Sequence, residues 1–177
     1  EAKISNKNTV KVNDQILKTS NIVIATGSAP IKIFKDNNAL NSDQLLQLDS
    51  LPEKLAIIGG GYIGIEFGHI FSVLGSKVTI IEEQGHILPG FDKEIALALQ
   101  QQLKKKGIRI ITGKKAKLQQ GRLSAGQQIE YDKILVAVGR KPCYDKKQAD
   151  KLNINHNNGI KVNKKMQTNI PNIYAIG

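Results

Sequence analysis

Three glycines, Gly59, Gly61 and Gly64, stand at the G-x-G-x-x-G spacing, with a further glycine at position 60. An apolar run, Leu55-Ala56-Ile57-Ile58, leads into them, and a helical pattern beginning at Tyr62 follows. A strand that turns through glycines into a helix is a phosphate cradle. The first glycine permits a tight turn, the second lets the backbone approach a pyrophosphate, and the third lets the helix pack closely on the strand. The helix N-terminus then offers free N–H groups and partial positive charge to the phosphates. Glu82 lies 18 positions after Gly64, at the end of a second apolar run, Lys77-Val78-Thr79-Ile80-Ile81. A carboxylate there accepts hydrogen bonds from the ribose hydroxyls of adenosine and repels a 2′-phosphate. Glu83 adds a second negative charge, and no arginine follows until Arg109. The joint pattern predicts a dinucleotide site selective for NAD(H) over NADP(H). The bland alternative is a glycine turn beside an incidental surface acid. Glu66, five residues after Gly61, is either structural or directed at the nicotinamide end; its position decides neither.

These residues need a frame to hold them. Tyr62 to Leu74 predicts a helix with Ile63, Phe67, Ile70, Phe71 and Leu74 on its inner face and Gly75 at its end. Asp92 can cap a second helix, Lys93 to Lys106, with Ile95, Leu99 and Leu103 inward and Gly107 as the stop. Ile108-Arg109-Ile110-Ile111 is a third strand. Residues 55–112 therefore predict βαβαβ and a parallel sheet. Gly113, Gly121 and Gly126 mark the bends of a small antiparallel meander over 114–132. A buried strand, Ile134 to Val138, returns to the sheet.

The flanks are less regular. Residues 2–18 predict a hairpin, Lys3-Ile4-Ser5 and Thr9–Val12 around Asn6-Lys7-Asn8. A buried-type strand follows at Ile22–Ala25. Residues 29–52 read as a connection with one helical turn near Asp43–Leu48, and 143–172 as a polar, Asn-rich tail before a last strand at Ile173–Gly177. Three strands end in Ala-x-Gly: Ala25-Thr26-Gly27, Ala137-Val138-Gly139 and Ala175-Ile176-Gly177. Glycine at a strand's carboxyl end admits a ligand or another backbone, although strands also simply end at glycines.

Composition bounds the partners. The 177 residues are 40% hydrophobic, enough for a packed core, and no apolar run approaches membrane-spanning length. The formal charge is +11. It resides in short lysine groups such as Lys104-Lys105-Lys106 and Lys114-Lys115, with three arginines and 5% aromatic residues, which argues against a nucleic-acid surface. The one cysteine, Cys143, excludes a disulfide or a redox cysteine pair within these residues and fits a reducing, cytoplasmic setting. His69, His86 and His156 have no metal-ligand spacing. The polar start Glu1-Ala2-Lys3 lacks Met and a signal sequence, so a truncated or processed product is expected.

The string Ile58 to Gly68 resembles the central motif of the pyridine nucleotide–disulfide oxidoreductases. Ile24-Ala25-Thr26-Gly27-Ser28 resembles that family's second FAD motif. Val138-Gly139-Arg140-Lys141-Pro142 is similar to the segment closing its NAD domain, and Thr168 to Gly177 to its last FAD motif. Within the family, Leu51-Pro52-Glu53-Lys54-Leu55, Val78 to Glu82 and Ile87 to Glu94 most resemble the dihydrolipoamide dehydrogenases. The resemblance implies an α/β, Rossmann-like NAD domain at 53–142, flanked by partial FAD-domain segments at 1–52 and 143–177. It implies that Gly59, Gly60, Gly61, Tyr62, Ile63, Gly64 and Glu66 line the pyrophosphate and nicotinamide, and that Glu82 holds the ribose. Ala116 and Gly139 match further NAD-lining positions, Tyr62 a residue covering the flavin, and Thr26, Gly27 and Ser28 FAD contacts.

The implied activity is oxidation of dihydrolipoamide by NAD⁺ in an FAD-dependent, homodimeric parent that serves a lipoyl-bearing protein, without membrane or nucleic acid. The family's redox cysteine pair, its first FAD motif and its dimerisation domain have no counterpart here, so the chain is expected to be a fragment, inactive alone and with no catalytic residue of its own. Cys143, where the family commonly has Asn, reads as a small packed residue rather than a nucleophile. Glutathione reductase, mercuric reductase, NADH oxidase or a non-catalytic NAD-binding module are the alternatives.

Overall fold

The computed structural model describes residues 2–177; Glu1, part of the polar start, lies outside them. Two compact units form. One comprises residues up to Ala29 together with Arg140–Gly177, and the other spans Pro30–Gly139.

In chain order the first unit begins with β1 (Ala2–Asn6), β2 (Thr9–Val12) and β3 (Gln15–Lys18), an antiparallel three-stranded sheet. The expected hairpin is present, and β3 extends it. All four β3 side chains are exposed, so no hydrophobic alternation announced the strand. β4 (Ile22–Ile24) follows, and β5 (Ser28–Pro30) leads into the second unit.

The second unit opens with β6 (Ala39–Leu40) and α1 (Ser42–Leu45), closed by a capping box between Asn41 and Gln44. β7 (Lys54–Ile58), α2 (Tyr62–Val73), β8 (Lys77–Ile81), α3 (Lys93–Lys105) and β9 (Arg109–Ile111) supply the expected βαβαβ. The meander is β10 (Lys117–Gln119), β11 (Arg122–Ser124) and β12 (Gln128–Ile129), antiparallel throughout. β13 (Lys133–Val136) returns beside β7, giving a parallel sheet of order β6-β13-β7-β8-β9.

Period-two alternation divides this sheet's side chains between two cores. Leu55, Ile57, Val78, Ile80 and Leu135 join Ile65 and Phe71 of α2 and Leu103 of α3 on one face. Ala56, Ile58, Ile81, Ile134 and Val136 join Leu123, Ala125 and Ile129 of the meander on the other. Strands covered on both faces read as continuous apolar runs, which is how β7, β8 and β13 were legible.

Two helix faces differ from expectation. In α2 the buried residues are Gly64, Ile65, Gly68 and Phe71, while Ile70 and Leu74 are exposed, Leu74 by 60%. Glycine decides this face. A Cβ at Gly68 would lie 3.0 Å from Ile80 Cδ1, so the helix settles through its glycine stripe onto β8. In α3 Ala96 and Leu103 are buried and Leu99 packs against the same core, as expected for Leu99 and Leu103, whereas Ile95 is 68% exposed. Asp92 caps α3 as expected, accepting from the Glu94 and Ile95 N–H groups at 3.0 and 3.1 Å. Asp92→Ala should destabilise the second unit by about 1 kcal/mol, read as a lower denaturant midpoint at unchanged slope.

The chain re-enters the first unit through β14 (Arg140–Pro142), which pairs with β5. α4 (Lys146–Lys151), capped by Asp145, then interrupts what the sequence presents as a polar tail. Six mostly charged residues carry no visible helical stripe; only Ala149 is buried, beside Ile22, Ile154 and Ile173. β15 (Ile173–Ala175) runs parallel to β4. Val23 is 57% exposed, so β4 is buried on one face only, not on both as its apolar run suggested.

Candidate functional site

The glycine loop lies between the carboxyl end of β7 and the start of α2. Going from β7 through β8 to β9 the sheet grows one way, whereas β13 lies on β7's other side. The order therefore reverses between β7 and β13, the position at which open α/β sheets hold ligands. The ends of these two strands abut. A Cβ at Gly59 would lie 2.4 Å from the Ala137 carbonyl oxygen, and Gly59 has φ +105°. Gly64 is equally constrained, since a Cβ there would lie 2.0 Å from the Gly59 carbonyl oxygen.

Gly61 is different. Its φ is −74°, which any residue adopts, and a Cβ there would meet nothing within 4 Å. Neither backbone strain nor packing explains glycine at this position; space in front of the loop does. Gly61 is also the N-cap of α2 and supplies no side-chain cap to the helix's first N–H groups.

Glu82 stands behind the loop, 6% exposed. Its Oε2 accepts from the Gly60 N–H and its Oε1 from the Gln84 N–H, each at 2.7 Å. The Leu88 N–H donates to the Gly60 carbonyl at 2.7 Å, and the Gly113 N–H to the Gln84 carbonyl at 2.7 Å. One buried carboxylate thus ties the glycine loop to the segment after β8. The sequence offered Glu82 as a ligand acceptor but gave no sign of these two backbone partners.

The other expected residues are distributed as follows. Tyr62, 63% exposed, and Glu66, also exposed, lie on α2. Ile63 is half-buried. Ala116 packs against the meander-side core. Gly139 follows β13 with φ +117°, and its carbonyl accepts from the Ile31 N–H at 3.0 Å. Two residues the sequence reading passed over also reach this rim. Lys115 Nζ lies 3.8 Å from Glu83 Oε1, and the Lys114 N–H donates to the Glu82 carbonyl at 3.3 Å. They lie some thirty positions from Glu82, and only the sheet brings them together.

In the first unit, Thr26, Gly27 and Ser28 follow β4. Its neighbour β15 ends at Gly177, where a Cβ would be 3.4 Å from Gly27 Cα, so two of the Ala-x-Gly ends are adjacent. The Thr26 hydroxyl donates to the Cys143 carbonyl. Arg140 donates through Nε to Ser28 Oγ at 2.8 Å and through its terminal nitrogen to the Ser28 carbonyl at 2.7 Å. Cys143 is a half-buried free thiol. Among the described residues no group of His, Cys, Asp and Glu could hold a metal ion, and no helix is long and apolar enough to cross a membrane. His86 Nδ1 lies 2.7 Å from the Ile87 carbonyl, and His156 Nε2 lies 2.9 Å from Asp150.

The sequence profile of the pyridine nucleotide-disulphide oxidoreductases matches residues 1–177. The chain belongs to this family. The whole chain aligns with the dihydrolipoyl dehydrogenase of Geobacillus stearothermophilus at 39% identity and with that of Mycoplasma genitalium at 38%, covering 42% of each relative. Among solved structures it superposes on the HOCl-induced flavoprotein disulfide reductase RclA from Escherichia coli, determined as a Cu(II) complex, with TM-score 0.86 and 30% identity. That match covers all of this chain and 44% of the neighbour. The chain thus spans less than half the length of each of these three proteins. Their shared α/β fold, with its parallel sheet, is the one described above.

Proposed function

We propose that residues 53–142 form the NAD(H)-binding part of an FAD-dependent disulfide oxidoreductase, with residues 1–52 and 143–177 contributing FAD-binding segments. The parent reaction is taken to be dihydrolipoamide plus NAD⁺ giving lipoamide, NADH and a proton, in a cytoplasmic homodimer that serves a lipoyl-bearing protein. The observation carrying the reading is Gly61, whose lack of a side chain answers to nothing inside the protein. The dihydrolipoyl dehydrogenase relatives support the choice of reaction.

The chain's own part is binding and orientation. The first turn of α2 and the Gly59–Gly64 backbone hold the pyrophosphate. Glu82 spends two of a carboxylate's roughly four lone-pair sites on Gly60 and Gln84, which leaves acceptor capacity for the ribose hydroxyls. Ile63, Glu66, Ala116 and Gly139 border the rest of the dinucleotide, with Tyr62 toward the flavin. Thr26, Gly27 and Ser28 present backbone to FAD, since the Thr26 and Ser28 side chains already have protein partners. Bound NAD and FAD would supply the hydride and electron transfer. With one cysteine and no catalytic residue among these 177, the chain alone is expected to reduce no disulfide.

The RclA similarity favours one second reading, a flavoprotein reductase acting on a different disulfide. Lys115 beside Glu83 bears on the cofactor, because a cation at this rim offsets part of the repulsion of a 2′-phosphate. Glu82 outweighs it, being buried and fixed while the Lys115–Glu83 pair is exposed to solvent screening. Calorimetric titration should therefore show NADH binding at least tenfold tighter than NADPH. Gly61→Ala should weaken NADH at least tenfold with little change in thermal midpoint. Tighter NADPH binding would overturn the cofactor assignment, and unaltered NADH binding by Gly61→Ala would remove the phosphate cradle.

A further inference from the structure

The meander covers only part of its face of the parallel sheet. Toward the carboxyl ends of the strands Ala56, Ile58 and Ile81 pack beneath Leu123, Ala125 and Ile129. Toward the amino ends the same face carries Lys54, Lys77, Thr79 and Arg109. Strand register places them together: Lys54 is paired with Lys77 and Thr79 with Arg109, and residues two apart on a strand share a face. With Gln128 and Glu130 of the meander side they line an open polar groove of about 290 Å³.

Two of the cations have carboxylate partners. Lys54 Nζ lies 2.6 Å from Glu130, and Lys77 Nζ 3.0 Å from Glu53. The Lys54 ammonium holds the Glu130 carboxyl below its ordinary range, first through their hydrogen bond and then through charge. Among the described residues the Arg109 side chain has no hydrogen bond and no ion pair, although its guanidinium carries five donors. Thr79, beside it, has a hydroxyl with no partner among the described residues, and Lys77 belongs to a solvent-screened pair that can open toward a better anion.

We propose that this groove is an oxyanion site, separate from the dinucleotide cradle, in which Arg109 takes a phosphate group with Thr79, Gln128 and Lys77 as further donors. Guanidinium is the group suited to this, because its fixed fork matches two phosphate oxygens at once. The source is either free phosphate or a phosphorylated small molecule; both present the same terminal oxygens.

The test is NMR titration of the ¹⁵N-labelled chain with inorganic phosphate and, separately, glycerol 3-phosphate, with chloride holding ionic strength constant. The expected result is saturable shifts at the Thr79, Arg109 and Gln128 amides and at Arg109 Nε–H. Arg109→Gln should weaken binding at least tenfold, and Thr79→Val to a lesser degree. Tenfold tighter monoester binding would identify a phosphorylated metabolite as the source, and equal binding free phosphate. Shifts at Gly60–Tyr62 report the cradle instead, so the two sites succeed or fail independently. The Arg109 side chain is exposed, and an unchanged amide spectrum elsewhere certifies that the variant is folded. Linear shifts spread over the surface lysines, or saturation unaltered in Arg109→Gln, would overturn the site.

Discussion

Gly64→Ala is expected to destabilise the second unit by about 3 kcal/mol or more, at the upper end of what overpacking a close-packed region costs. The added methyl would lie 2.0 Å from the Gly59 carbonyl oxygen and 3.2 Å from Ile57 Cγ2. Backbone cannot yield as a flexible side chain does, so α2 must move away from β7. That motion would also strip Ile65 and Phe71 from the helix-side core. Denaturant unfolding measures the loss, and Gly61→Ala is the control. Both replace a glycine of the same loop, yet only Gly64 meets protein atoms. Wild-type stability of both variants would show that the loop has slack the geometry denies. Equal loss of stability would mean that Gly61 is held by packing and has no ligand to make room for.

Glu82→Ala should have two separable effects. The buried Gly60 N–H and the part-buried N–H of the exposed Gln84 lose their acceptor. At ~1–3 kcal/mol for an unsatisfied buried donor, and with the Gln84 N–H within reach of water, the unit should lose about 1–3 kcal/mol of stability without any dinucleotide present. NADH affinity should also fall, by roughly ten- to a hundredfold, because hydrogen bonds to a charged acceptor contribute about 1.5–3 kcal/mol. Glu82→Gln divides the two roles. Its carboxamide keeps one acceptor oxygen and turns an NH₂ toward the other N–H, so part of the loop anchoring survives while the charge is gone. Unfolding curves report the anchoring, and titration with NADH and NADPH reports the ribose contact. A wild-type melting curve for Glu82→Ala would dispose of the latch, and wild-type NADH affinity would dispose of the ribose role.

Sequence alone determined the elements whose residues repeat a physical rule. β7 and β13 are buried on both faces past their first residue and so appear as unbroken apolar runs, and β8 reaches the same state at Ile80-Ile81. α3 begins where Asp92 can accept from its first N–H groups, and the meander bends at Gly121 and Gly126, both at positive φ. The glycine spacing and Glu82 were legible as a motif; of its three spaced glycines only Gly64 answers a steric demand close by in the chain, the Gly59 carbonyl, whereas Gly59 itself meets Ala137 from across the sheet and Gly61 meets no protein atom. Where such a rule was missing, the elements were missed. β6 has two residues, β3 buries none of its four, and α4 is six largely charged residues with one buried alanine.

The tertiary structure decided which face of a helix turns inward. α2 is apolar nearly all round, so periodicity could not choose a side. Gly64 and Gly68 chose it, because removing two side chains lets a helix approach a sheet more closely than adding apolar ones. It also decided company between residues distant in sequence. Register across parallel strands sets Lys54, Lys77 and Arg109 on one surface, and the fold brings Lys114 and Lys115 to Glu82 and Glu83. These neighbours are separated by tens of residues, and local chemistry has no means of encoding a partner that the sheet alone supplies.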